Sequence, residues 1–246
     1  TCPQGMTDYL LAQVGLEPID LFRVNGPVNL NRLLAVCDLP ERPDLRFAPF
    51  SPGLPAALGP SGSLFAAIAK GDVLLHHPFQ SFLPVVEFVQ QAASDPDVLA
   101  IKQTLYRTGE ASVIADALVA AARGGKEVTV VVELRARFDE EANIALANRL
   151  QEAGAHVVYG VVGYKTHAKM SLVVRREGRA LRHYAHLGTG NYHPRTSRLY
   201  TDYGLFTCDP AVTSDVQRVF LQLTSLGVVG RFEHLLESPF TLHEAL

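Results

Sequence analysis

No apolar run in this 246-residue sequence approaches the roughly 20 residues that cross a bilayer; the longest, Val128 to Val132 with its flanks, is the length of a strand. The N-terminus has no basic segment followed by an apolar stretch, so no secretory signal is expected. The chain opens on Thr1 rather than Met, and its first residues are read as an artificial boundary. Three cysteines, Cys2, Cys37 and Cys208, are far apart, odd in number and without paired metal-ligand spacing, which suggests neither a disulfide framework nor a zinc site and fits a reducing cytoplasm. A net charge of −3 gives no global attraction to nucleic acid or to an acidic membrane surface. No nucleic-acid partner is therefore expected, and any anion chemistry has to come from local clustering. Internal repeats and low-complexity segments are also missing.

What remains is a chain with 48% hydrophobic residues, enough to fill a real core. Residues 1 to about 40 predict two short helices, one ending at Val14 before Gly15 and one over Asn29 to Val36 after Pro27. Six prolines between Pro40 and Pro60 argue for a connector. From Ser61 the pattern becomes strand and helix in alternation. Helices are expected at Leu64 to Lys70, Ser81 to Ala93, Ser112 to Ala122, Glu140 to Ala153 and Ala211 to Leu223. Strands are expected at Val73 to His76, Val98 to Tyr106, Glu127 to Leu134, His156 to Tyr159, Lys169 to Val174, Leu181 to His186 and Tyr203 to Thr207. Lys169 to Val174 and Leu181 to His186 read as a hairpin joined by Arg176 to Arg179. The fold class is α/β, with a mixed rather than purely parallel sheet flanked by helices. The tail from Gly230 is weakly patterned.

The sharpest local signal is electrostatic. Between Lys165 and Arg198 stand eight basic residues against one acid, Glu177. For Arg175 to Arg182, an ordinary solvated hairpin end explains the charge equally well. Lys165 and Lys169 are different, because they bracket His167 where a strand begins, and alternation puts His167 and Lys169 on one face. An ammonium beside an imidazole disfavours the cationic ring, leaving a neutral nitrogen able to attack phosphorus while the lysine neutralises the incoming oxygens. Taken alone, His167 would read first as a packed or hydrogen-bonded histidine, and the pairing with Lys169 puts the two readings on an equal footing. His186-Leu187-Gly188-Thr189-Gly190-Asn191-Tyr192 is a strand entering a loop whose glycines would let backbone N–H groups approach an anion, and it is also compatible with a plain turn.

His-x-Lys followed by Gly-x-Gly-Asn resembles the histidine-lysine signature of the phospholipase D superfamily. Where that family's hydrolases carry an aspartate, five residues after Lys169, this chain has Val174, which weakens a phosphodiesterase reading. Five ordered blocks are similar to the bacterial phospholipase D-like polyphosphate kinases: His76 to Phe82, Ile101 to Gly109, Glu133 to Glu141, Lys165 to Lys169 and His186 to Tyr192. The resemblance implies an ATP:polyphosphate phosphotransferase working reversibly through a phosphohistidine at His167. Lys169 would assist, Tyr200 and Asn191 would bind ATP, and Arg107 and Arg137 would form the magnesium (Mg2+) and phosphate site. A guanidinium has no lone pair for a metal, so the arginines would meet magnesium through phosphate or water.

The resemblance further implies a longer protein. Residues 1–54 would be the end of a head domain with its connector, 55–230 a first phospholipase D-like catalytic domain, and 231–246 the start of a second whose own histidine has no counterpart before Leu246. The piece alone is expected to bind phosphate and turn over little ATP. Partners would be ATP, ADP and inorganic polyphosphate, with homo-oligomers in the full-length protein. The location would be cytoplasmic, with peripheral contact at the inner membrane left open. A superfamily phosphodiesterase and a non-catalytic polyanion-binding module are the alternatives.

Overall fold

The computed structural model describes residues 2–38, 42–58, 62–106, 112–133, 140–161, 163–224 and 230–246. The chain divides into two compact units, Thr1–Phe50 and Ser51–Leu246. The first holds helix α1 (Gln4–Val14) and 3-10 helices at Pro18–Asp20, Leu30–Asp38 and Pro43–Leu45. The second helix expected from sequence is thus wound as a 3-10 helix. Thr7 is the one buried side chain among the unit's described residues, while Phe22 and Phe47 stand in solvent. The described residues of this unit build no core of their own.

The second unit contains all the expected alternation. Its helices are α2 (Leu64–Ile68), α3 (Leu83–Ser94), α4 (Val113–Arg123), α5 (Glu140–Glu152), α6 (Pro210–Thr224) and α7 (Leu242–Ala245). Its strands are β1 (Val73–His77), β2 (Val98–Leu105), β3 (Glu127–Val132), β4 (His156–Tyr159), β5 (Lys169–Glu177), β6 (Ala180–Gly188) and β7 (Asp202–Thr207). Pro84 sits in the first turn of α3, where its missing N–H breaks no helical bond, and the Ser112 hydroxyl caps α4 by accepting from Ala115 N at 3.3 Å.

The strands form one sheet in the order β1-β7-β6-β5-β2-β3-β4. β2, β3 and β4 are parallel; every other neighbouring pair is antiparallel, so the sheet is mixed. Strand alternation sorts the core onto two faces. Ile101, Val130, Val173 and Phe206 pack with Val85, Phe88, Leu118 and Leu150 of α3, α4 and α5, whereas Val131, Met170, Leu172 and Ala185 pack with Val216 and Phe220 of α6.

The register brings Leu105, Val132 and Tyr159, the C-terminal residues of the parallel strands, to the edge where β5 starts at Lys169, β6 ends at Gly188, β7 starts at Asp202 and β1 ends at His77. In α/β sheets this carboxyl edge is where ligand sites form. The β5–β6 ladder continues to Glu177↔Ala180 at the other end, so Arg175 and Arg182 are paired strand residues. Arg175 meets Asp95 at 2.8 Å, Asp97 at 3.5 Å and Glu177 at 3.2 Å, and Arg182 reaches Glu177 at 3.4 Å. These arginines join an ion-pair network at the edge opposite Lys169.

Candidate phosphate site

The segment before β5 is held from two sides. Thr104 Oγ1 donates to Ala168 O at 2.8 Å and accepts from Met170 N at 2.9 Å, which fixes the start of β5 against β2. Glu133, directly after β3, is 3% exposed, and its Oε2 accepts from Thr166 N at 2.7 Å. His167 follows at once. Its ring is exposed and packs edge-on to Tyr106, with centroids 5.5 Å apart. Among the described residues neither ring nitrogen has a hydrogen-bond partner. Lys169 Nζ donates to the His167 carbonyl at 2.6 Å, and both Lys165 Nζ and Lys169 Nζ lie 5.3 Å from the Tyr106 ring centroid.

The electrostatics follow from this packing. The His167 pKa is lowered, first by partial removal from water and then by the Lys169 and Lys165 ammonium groups. The ring is accordingly neutral at neutral pH. Lys169, only 5% exposed, has its pKa pushed down to about 8; burial dominates, Asp202 opposes the shift, and Lys165 adds to it.

His167 and Lys169 line one cavity of about 470 Å³ with Asn191, His193, Tyr200 and Asp202. Tyr200 is 62% exposed at its rim, a ring face open to a stacking partner. Asn191 Oδ1 is shielded from water and has no hydrogen-bond partner among the described residues. Thr189 Oγ1 donates to Asp202 Oδ1 at 2.8 Å, and Thr189 N donates to Tyr203 O at 2.9 Å, so this loop amide belongs to the β6–β7 connection rather than to an anion. A Cβ at position 190 would collide with the Asp202 carboxylate, which explains the second glycine of the loop. One at position 204 would lie 2.7 Å from His186 Nε2. That buried imidazole shares a 2.8 Å hydrogen bond with Tyr192 Oη through Nδ1, and its pKa is pushed down to about 3 by burial and then by His77. Burial pushes the Tyr192 hydroxyl pKa up.

Of the sequence candidates, His167, Lys169, Asn191 and Tyr200 come together on this cavity. Arg107 and Arg137 lie outside the described residues, as do residues 107–109 and 134–139 of the blocks that carry them. Asp202, His193 and Glu133 were not singled out for roles. A signal for Glu133 was available, since it is an acid directly ending a β-branched run. Asp202 and His193 reach the site through strand register and a loop, which no local spacing encodes.

A family model described as polyphosphate kinase C-terminal domain 1 matches residues 63–228. The polyphosphate kinase of Pseudomonas aeruginosa is 58% identical over 246 residues, covering 100% of this chain and 36% of that protein. That of Xylella fastidiosa is 60% identical over 242 residues, 98% of this chain and 34% of its own length. The chain thus spans about a third of the length of the curated relatives it matches. The crystal structure of polyphosphate kinase from Porphyromonas gingivalis superposes with a TM-score of 0.83 at 35% identity, covering 99% of this chain and 37% of that one. Nuc from Salmonella typhimurium, a phospholipase D family member, gives a TM-score of 0.50 at 18% identity over 65% of this chain, a likeness of fold alone. Since the family match contains the whole cavity, from Tyr106 to Asp202, the chain belongs to the polyphosphate kinase family.

Proposed function

We propose that this chain carries the phosphohistidine site of an ATP:polyphosphate phosphotransferase, with His167 as the nucleophile. The observation that carries this reading is a neutral imidazole, unpartnered among the described residues, on the same cavity as a buried ammonium. A ring nitrogen of His167 attacks the terminal phosphorus of ATP; the N–P bond forms as the P–O bond to ADP breaks, and the ring keeps its proton on the other nitrogen. A terminal oxygen of polyphosphate then attacks the same phosphorus, the N–P bond breaks, and the neutral ring is restored. Both steps run backward by the same path. Lys169 neutralises the transferred oxygens, Tyr200 stacks the base, and Asn191 offers its amide to the phosphates.

Magnesium fits this scheme as part of the nucleotide substrate. Among the described residues no group of three or more His, Cys, Asp or Glu is placed to hold a metal, and the cavity's acidic side chain is Asp202. Magnesium commonly binds through one or two carboxylates plus substrate phosphates and retained waters, which this donor set admits. Arg107 and Arg137 would then grip phosphate oxygens. No described helix is long and apolar enough to cross a membrane.

The test is a single-turnover mixing of the chain with ATP labelled in its terminal phosphoryl group. The expected result is ADP in step with protein-bound, acid-labile and base-stable label, which a chase with polyphosphate removes. Cleavage of a phosphodiester, or tight polyphosphate binding with no covalent label, would replace this reading with one of its alternatives.

A further inference from the structure

Within the same cavity, His193 has one edge accounted for and one not. Its Nδ1 accepts from Arg195 N at 3.2 Å and from Thr196 N at 3.3 Å, an arrangement that caps the 3-10 helix Thr196–Arg198. A backbone N–H can only donate, so Nδ1 carries no hydrogen and the hydrogen of the neutral ring sits on Nε2. Among the described residues Nε2 has no hydrogen-bond partner, and the residue forms part of the cavity wall. Two of the other donors there are partly engaged: Lys169 Nζ gives a hydrogen to the His167 carbonyl, and the Thr189 hydroxyl donates to Asp202.

We propose that His193 is a phosphate-binding residue, donating from Nε2–H to a phosphate oxygen of the ligand in this cavity. The capping bonds make it a preorganised donor, because the ring is held in one tautomer and one orientation before any ligand arrives. The proposal rests on the reading of the cavity as a phosphate site and adds to it a neutral donor distinct from the lysine. A purely structural histidine would use only its Nδ1 edge.

Substitutions separate the two edges. In His193→Asn the side-chain Oδ1 takes the place of Nδ1 and keeps the cap, while the outer donor is lost. In His193→Gln the amide nitrogen falls near the position of Nε2. Affinity is measured by titration calorimetry with inorganic tripolyphosphate and, separately, with ATP, alongside thermal melting. The expected result is an unchanged melting temperature for His193→Asn with a roughly 10-fold or greater loss of affinity for both ligands, the range for a hydrogen bond to a charged group. His193→Gln should recover most of that affinity. Wild-type affinity in His193→Asn, or a loss confined to ATP, overturns the assignment. If the unaltered chain fails to bind tripolyphosphate, the phosphate reading of the cavity fails and the inference with it. If the unaltered chain binds, Lys169→Met does not, and His193→Asn binds like the unaltered chain, only the inference about His193 fails.

Discussion

Replacing Lys169 with methionine should remove phosphate binding and also change how stability depends on pH. The lysine is 5% exposed, and its pKa falls from 10.5 to about 8 in the folded chain, a difference worth at most about 3 kcal/mol. Below pH 8 the folded and unfolded chains both hold the proton, and the full penalty of a desolvated ammonium is present. Between pH 8 and 10.5 the unfolded chain still holds it while the folded chain has released it, so stability rises with pH. Above 10.5 the penalty is gone. Methionine fills similar space without the charge, but it loses the 2.6 Å bond to the His167 carbonyl, an interaction of about 1.5–3 kcal/mol. Near pH 7 the variant should therefore equal the unaltered chain or exceed it by up to about 1.5 kcal/mol. Urea unfolding of both proteins from pH 7 to 10.5 isolates the effect of this site, because titrating groups not coupled to Lys169 cancel in the difference. The unaltered chain should gain up to about 3 kcal/mol relative to the variant across that range. Parallel curves would refute a depressed Lys169 pKa and, with it, the picture of a buried cation held ready for phosphate.

Gly204→Ala places a methyl group 2.7 Å from His186 Nε2 inside the sheet, and overpacking of this kind should destabilise by about 1–3 kcal/mol, read as a lower urea midpoint at unchanged slope. Asp215 is fully buried in α6; its Oδ2 accepts from Glu233, His234 and Leu235 N at 2.9, 2.7 and 3.0 Å, and its Oδ1 meets Arg218 at 3.2 Å. Asp215→Ala should cost about 2–4 kcal/mol and speed hydrogen exchange at those three amides. Burial would raise the Asp215 pKa, yet the amides and Arg218 outweigh it and hold it below the usual carboxylate value. The unaltered chain should lose this contribution as pH falls below about 4, whereas the alanine variant lacks that step.

Much of the second unit was legible because each element announces itself locally. β-Branched runs such as Val128 to Val132 became strands, glycine and proline marked the breaks, and the hairpin after Lys169 forced a mixed sheet. Charge was read less well. Arg175 read as part of a solvated hairpin end because its partners Asp95 and Asp97 lie some 80 positions away, and only the folded sheet brings them together. Leu30–Asp38 carries an amphipathic pattern that fits either helix type, and local spacing did not show that it winds as a 3-10 helix. At the site, His167 and Lys169 were visible from their two-residue spacing at a strand start. Asp202 was not, since its approach to Gly190 and Thr189 depends on the β6–β7 register. The resemblance supplied Tyr200, whose place on the cavity rim no periodicity predicts.

The account stands on a covalent bond between the His167 imidazole and phosphorus. Chain incubated with ATP and then digested at alkaline pH, with the peptides mapped by mass spectrometry, should carry phosphate on the ring of His167, and His167→Ala should carry none. Phosphate on a different residue, or an undiminished yield from His167→Ala, would contradict it.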